Sequence, residues 1–250
     1  MSRPVTNLYT HYDALDAIRM AVYHSDGPGY WVARAAVSDS FIAHMRAIWG
    51  GEATQKHWAP LTKNAEVRYG SPNMARVEQN RNGGFRTYHN WFWNTPFDEL
   101  TQSVAFESQL MRNYLEGREP FHAYVPAGDS HQAVQYFIRQ DLAGDMLVPF
   151  HADIIDTPPP ANAAAIHSHD PSRLQITLLL SKRGVDYQGD GLVYTRNDGS
   201  EIVLDDEVGL NAGDIVFWRH ANRHSIRNIR AINGGLGYLR MIMPVHDLRG

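Results

Sequence analysis

The sequence predicts an α+β fold in which a β jelly roll is backed by N-terminal helices. Three observations carry this reading. Helical apolar spacing dominates the first half of the 250 residues, and from about residue 131 short apolar runs alternate with Gly, Asp and Asn turns. No repeat or linker divides the two parts. A single domain is therefore expected over 1–250, with a helical support region at about 1–120 and the jelly-roll core at about 131–245.

The helical part reads as three segments. Asp13 precedes Leu15, Ile18, Ala21 and Val22 at helical spacing, and Gly27-Pro28-Gly29 ends the run. Ser38 or Asp39 caps a second helix with Phe41, Ile42, Met45, Ile48 and Trp49 on one face. A third starts with Thr95 as N-cap and Pro96 at its first position, and runs through Phe97, Leu100, Val104, Met111 and Leu115 to Gly117. The strand runs are QAVQYFI, MLVPF, LQITLLLS, GLVYT, EIVLD, DIVFW, HSIRNI and GYLRMIM. Between them TPPPANAAA, Thr157 to Ala165, cannot join a sheet interior and reads as an extended loop near a site mouth.

Composition narrows function. A net charge of −4 and the lack of a basic stripe argue against nucleic acid or an anionic membrane as partner. No run is long and apolar enough to span a bilayer, and MSRPVTNLYTHYD lacks the apolar core of a signal peptide, so a cytoplasmic protein is expected. With no cysteine and 13 histidines, any metal would be held by nitrogen and oxygen.

The chemistry concentrates in His151, Asp153 and His224. The first two lie in GDMLVPFHADII, where a spacing of two puts both side chains on one strand face. His224 follows a second Gly-Asp turn in GDIVFWRHANRHSI, eleven residues past Gly213. Two imidazoles and one carboxylate on one side of a metal leave open positions opposite, an arrangement suited to Fe(II) that must bind further ligands. His220 could replace His224, although the Gly-Asp spacing favours the latter, and His167 and His169 sit in a loop-like stretch as rival ligands.

The order of Gly144-Asp145, His151-Ala152-Asp153, LQITLLLS, DYQGDGLVY, Gly213-Asp214 and His224 resembles the double-stranded β-helix of Fe(II)/2-oxoglutarate-dependent oxygenases, from about Gln132 to Pro244. The resemblance implies Fe(II), 2-oxoglutarate as cosubstrate and O2. The reaction would oxidise a small molecule, such as an amino acid or other carboxylate, and release succinate and CO2. Hydroxylation, desaturation and cyclisation are all open, and Asp153 argues against a halogenase. The resemblance also implies a cation for the far carboxylate of 2-oxoglutarate. Arg240 in GYLRMIMP is the first candidate, with Arg230, Arg227 and Arg139 as alternatives. Substrate contacts are expected from NRNGGFRTYHNWFWN through Arg86, Tyr88, Trp91 and Trp93, a cluster that would also suit a hydrophobic core. Two other readings stand beside this one: a cupin-like Zn or Mn hydrolase or isomerase, and a jelly roll that binds without chemistry.

Overall fold

The computed structural model describes residues 5–50, 69–80, 83–128, 130–151, 170, 172–232 and 234–248. Two antiparallel sheets face each other. The larger has the order β1 (Tyr30–Ala33), β10 (Ile215–Arg219), β6 (Leu174–Leu179), β12 (Tyr238–Ile242), β4 (Gln132–Asp141), β3 (Gly83–Trp91) and β2 (Met74–Asn80), with β13 (Val245–Asp247) also on β4. The smaller has the order β5 (Ala143–His151), β11 (His224–Ala231), β8 (Gly191–Thr195) and β9 (Glu201–Val203), with β7 (Tyr187–Gln188) on β11.

The two-residue period of each strand sorts its side chains between two cores. On the outer face of the large sheet, Val134, Tyr136, Ile138, Ile176, Leu178, Phe217, Leu239 and Met241 pack against the helices. Those helices are α1 (Leu15–Tyr23), α2 (Asp39–Gly50) and α3 (Glu99–Leu115). They supply Ile18 and Val22, then Phe41, Met45 and Trp49, then Val104, Met111 and Leu115, each set on one helical stripe. The inner core between the sheets holds Leu179, Tyr194, Val216, Trp218, Ile226, Ile229 and Tyr238. Strand β6 is buried at all six positions because both of its faces are covered.

All eight strand runs read from the sequence form strands, although the last two residues of EIVLD start the short helix α4 (Leu204–Val208). The first half is less helical than its spacing suggests: β1, β2 and β3 lie there, and the aromatic segment around Arg86 is strand β3. Pairing with β4 over seven positions, from Phe85↔Asp141 to Trp91↔Gln135, overrides local propensity. The third helix also begins later than expected. Its N-cap is Asp98, whose carboxylate accepts from Thr101 N–H at 2.7 Å, while Phe97 N–H is engaged by Asn90 before the helix starts. Ser38 caps α2 as expected, accepting from Phe41 N–H at 3.2 Å.

Two tight approaches fix the strands that frame the site. At Gly237 (φ 68°) a Cβ would come within 2.3 Å of the Asp141 carbonyl, so only glycine lets β12 enter beside β4. At Gly213 (φ 95°) the Gly-Asp turn bonds to Leu179 O, and the Asp214 carboxylate ties Arg34, Ala35 N–H and Asn211 N–H together ahead of β10.

Candidate metal and cosubstrate site

His151 ends β5 and His224 begins β11, and the two are directly opposed across the ladder. Their rings lie 4.4 Å apart, centroid to centroid, at 52°. The ladder shifts register just past His224, the local re-aiming a β-bulge produces at the rim of a barrel. The edge of Trp218, reaching in from β10, meets the His224 ring at 4.6 Å and 68°. His224 Nδ1–H donates to the Asn222 carbonyl at 3.1 Å, which leaves Nε2 as the lone-pair nitrogen. Asn222 is held in turn by Thr195 O and Asn197 Oδ1, both at 3.0 Å.

Asp153 lies outside the described residues, as do His167, His169 and the segment from Thr157 to Ala165. No group of three or more His, Cys, Asp or Glu able to hold a metal occurs among the described residues. The two described members of the expected set are adjacent. His220 is buried at the end of β10, with its ring 5.8 Å from His224.

The cation candidates separate clearly. Arg240 and Arg139 are register partners on β12 and β4, both on the inner face of the large sheet. Between them sits Asp141, wholly buried, accepting from Arg240 Nη1 at 2.7 Å and from Arg139 Nε and Nη2 at 2.9–3.0 Å. Burial alone would raise the Asp141 pKa, but the two guanidiniums outweigh it and hold the carboxyl below its ordinary value. Two guanidiniums and one carboxylate leave one excess positive charge, and Arg240 Nη2 has no acceptor among the described residues. Arg139 lies 4.5 Å over the Phe85 ring and Arg240 4.4 Å over Tyr238. Arg230 instead points outward to an exposed ion pair with Asp145, and Arg227 to Glu201.

The expected substrate residues fall mostly on the wrong face for that role. Arg86 bonds Gln140 Oε1 and the Trp49 carbonyl under α2, and Tyr88 packs with Trp49 and Phe97. Both belong to the helix-facing side because β3 alternates. Trp91 faces inward but is fully buried, stacked on Trp93 at 4.4 Å and 9°, and Trp93 Nε1–H donates to Ser71 O. The other inward residues of β3 are Phe85, Thr87 and His89.

Sequence reasoning passed over Asp141, Asn222 and Trp218. The signal for Asp141 is present in QYFIRQD: Gln135, Phe137, Arg139 and Asp141 alternate, so one face of a strand carries both the cation and its partner.

No family model matches the sequence, and no curated protein matches it. Solved structures do match the fold. An oxidoreductase of the 2OG-Fe(II) oxygenase family from Burkholderia pseudomallei aligns with TM-score 0.50 at 10% identity, covering 94% of this chain and 91% of its own. The non-heme alpha ketoglutarate dependent epimerase SnoN from nogalamycin biosynthesis aligns with TM-score 0.51 at 15% identity, covering 94% and 83%. The carbocyclase SnoK from the same biosynthesis aligns with TM-score 0.50 at 14% identity, covering 98% and 87%. At these identities the likeness is one of fold: this chain has the jelly-roll architecture of those enzymes.

Proposed function

We propose that this protein is an Fe(II)/2-oxoglutarate-dependent oxygenase of small molecules. The observation that carries the reading is the opposed pair His151 and His224 at one end of the barrel, with a buried cluster of one net positive charge deeper in the same barrel. The donor set fits Fe(II): two imidazoles, one with its tautomer set by a backbone carbonyl, and the Asp153 carboxylate two residues past His151. Iron bound there would couple the oxidative decarboxylation of 2-oxoglutarate to attack on a substrate C–H bond.

The chain's own residues have distinct tasks in this reading. Asn222 orients the His224 ring, and Trp218 packs against that ring and keeps it from swinging inward. Arg240, buried and aligned by Asp141, offers its remaining N–H groups to the far carboxylate of 2-oxoglutarate, a charge-assisted pairing that offsets the cost of burying both ions. Arg139 supplies the second positive charge and shares the Asp141 carboxylate with Arg240. The apolar inner core below the histidines excludes water from the reacting atoms.

The direct test is stoichiometric release of succinate on adding Fe(II), 2-oxoglutarate and O2. Activity with Zn(II) or Mn(II) that does not depend on 2-oxoglutarate would favour the hydrolase or isomerase reading instead. No helix among the described residues is long and apolar enough to cross a membrane.

A further inference from the structure

The inner face of the large sheet carries a second set of polar groups, distinct from the Arg139–Asp141–Arg240 cluster. Gln135 on β4 and Gln175 on β6 are each 3% exposed. Gln135 Oε1 accepts from His89 Nδ1–H at 2.9 Å, and Gln175 Oε1 accepts from Ile176 N–H at 3.1 Å. Neither Nε2 has an acceptor among the described residues, and neither is among the atoms sealed in the core. Each amide N–H2 is therefore open to the space beside it and can donate to a ligand oxygen.

Both amides lie at the level of the histidines. Strand β4 passes into β5 through the single residue Leu142. Gln135 is seven residues before that turn (142 − 135) and His151 nine after it (151 − 142), so they share the far end of the barrel on opposed sheets. Gln175 is the register partner of Trp218, whose ring meets His224.

The direction of the Gln135 amide is set by its neighbours. Gln135 Oε1 can only accept, so the ring nitrogen facing it at 2.9 Å, His89 Nδ1, carries a proton, and in the neutral ring Nε2 is left to accept from Thr87 Oγ at 3.1 Å. The amide oxygen is thus turned toward β3 and the N–H2 away from it. The His89 ring stacks on Phe137 at 4.7 Å and 16°, and both are only half-buried, which makes a flat wall beside the donors. The one carboxylate on the inner row of β4, Asp141, is engaged by Arg139 and Arg240, so beside Gln135 the wall offers donors and an aromatic surface.

We propose that Gln135, aimed by the Thr87–His89 chain, is the substrate-recognition residue of this protein, and that the substrate is a small molecule presenting a carboxylate or carbonyl oxygen to Gln135 and Gln175. The proposal rests on the oxygenase reading and names the substrate class for it. Thr87 and His89 are positioning residues, and Gln135 is the group that touches the ligand.

The test is calorimetric binding of the standard L-amino acids and short dicarboxylic acids, used as probes, to Zn(II)-loaded protein saturated with 2-oxoglutarate. At least one probe should bind, and Gln135→Glu, which keeps volume but repels a carboxylate, should weaken that probe by about 10–150-fold. Gln135→Leu should weaken it comparably, and His89→Phe by less, while 2-oxoglutarate affinity and the thermal midpoint hold in all three. Probe affinity unchanged in both Gln135 variants, or no probe binding at all, overturns the proposal. Failure of 2-oxoglutarate itself to bind the unaltered protein would instead overturn the oxygenase reading, so the two failures are told apart.

Discussion

Asp141→Asn is the substitution whose consequence the structure fixes most closely. Asp141 neutralises one of two buried guanidiniums, Arg240 at 3% side-chain exposure and Arg139 at 15%. Removing its charge leaves both uncompensated, and breaking a buried pair costs about 3–5 kcal/mol. For a chain of this size that is a fall of about 6–20 °C in Tm. The remaining side-chain carbonyl still accepts from Arg240, so the geometry persists and the charge term decides the sign of the ligand effect. In the proposed reading the 2-oxoglutarate carboxylate would enter beside Asp141. At about 4 Å and an effective dielectric near 20, two like charges repel by about 4 kcal/mol. Asp141→Asn removes that repulsion, so saturating 2-oxoglutarate should raise the Tm of the variant more than that of the unaltered protein. The assay is differential scanning calorimetry of Zn(II)-loaded protein with and without 2-oxoglutarate. The pH dependence has a definite sign. The folded Asp141 pKa lies below its ordinary value of about 3.9, so its contribution is full above that pH and is lost as pH falls through the folded pKa. The Tm gap between unaltered protein and variant should be constant near neutrality and narrow in acid. An equal or smaller 2-oxoglutarate shift in the variant would refute the reasoning, because the cluster would then not face the cosubstrate.

Three further outcomes are expected. His151→Ala and His224→Ala should each abolish tight metal binding by calorimetry while leaving a folded protein, whereas His220→Ala should retain it; the reverse pattern would move the distal ligand to His220. Arg112, wholly buried, donates to Leu174 O, Met243 O and Gln109 Oε1. Arg112→Met strands those acceptors at about 1–3 kcal/mol each, so denaturant unfolding should show a loss above about 3 kcal/mol, and a loss below about 1 would contradict the bracing role. Arg86→Ala should lower stability through its lost bonds to Gln140 and Trp49 O and leave the coupling of substrate oxidation to succinate release unchanged; altered coupling would return Arg86 to the site.

The jelly roll was legible because short apolar runs alternate with turns rich in Gly, Asp and Asn, and all eight runs form strands. Strand β3 was hidden because GGFRTYHNW carries polar and aromatic residues on both faces, and only its pairing with β4 reveals its period. That same blind spot governs the site. Arg86 and Tyr88 attract attention by residue type, but strand alternation turns them to the helices and brings Thr87 and His89 inward. The juxtaposition of His151 with His224 follows from motif order, whereas Asp141 acting on Arg240 joins residues 99 apart, which a linear pattern cannot weigh. Arg230 was an alternative cation from the sequence, yet the outward face of β11 gives it to Asp145.

The most direct measurement is the visible spectrum of the protein on anaerobic addition of Fe(II) and then 2-oxoglutarate. A weak charge-transfer band that needs both additions is the expected result. The band should vanish in His224→Ala and need more 2-oxoglutarate in Arg240→Ala, in line with the loss of one charge-assisted pair of about 1.5–3 kcal/mol. A protein that binds Fe(II) but gives no band at saturating 2-oxoglutarate, or gives the same band in His224→Ala, would contradict it.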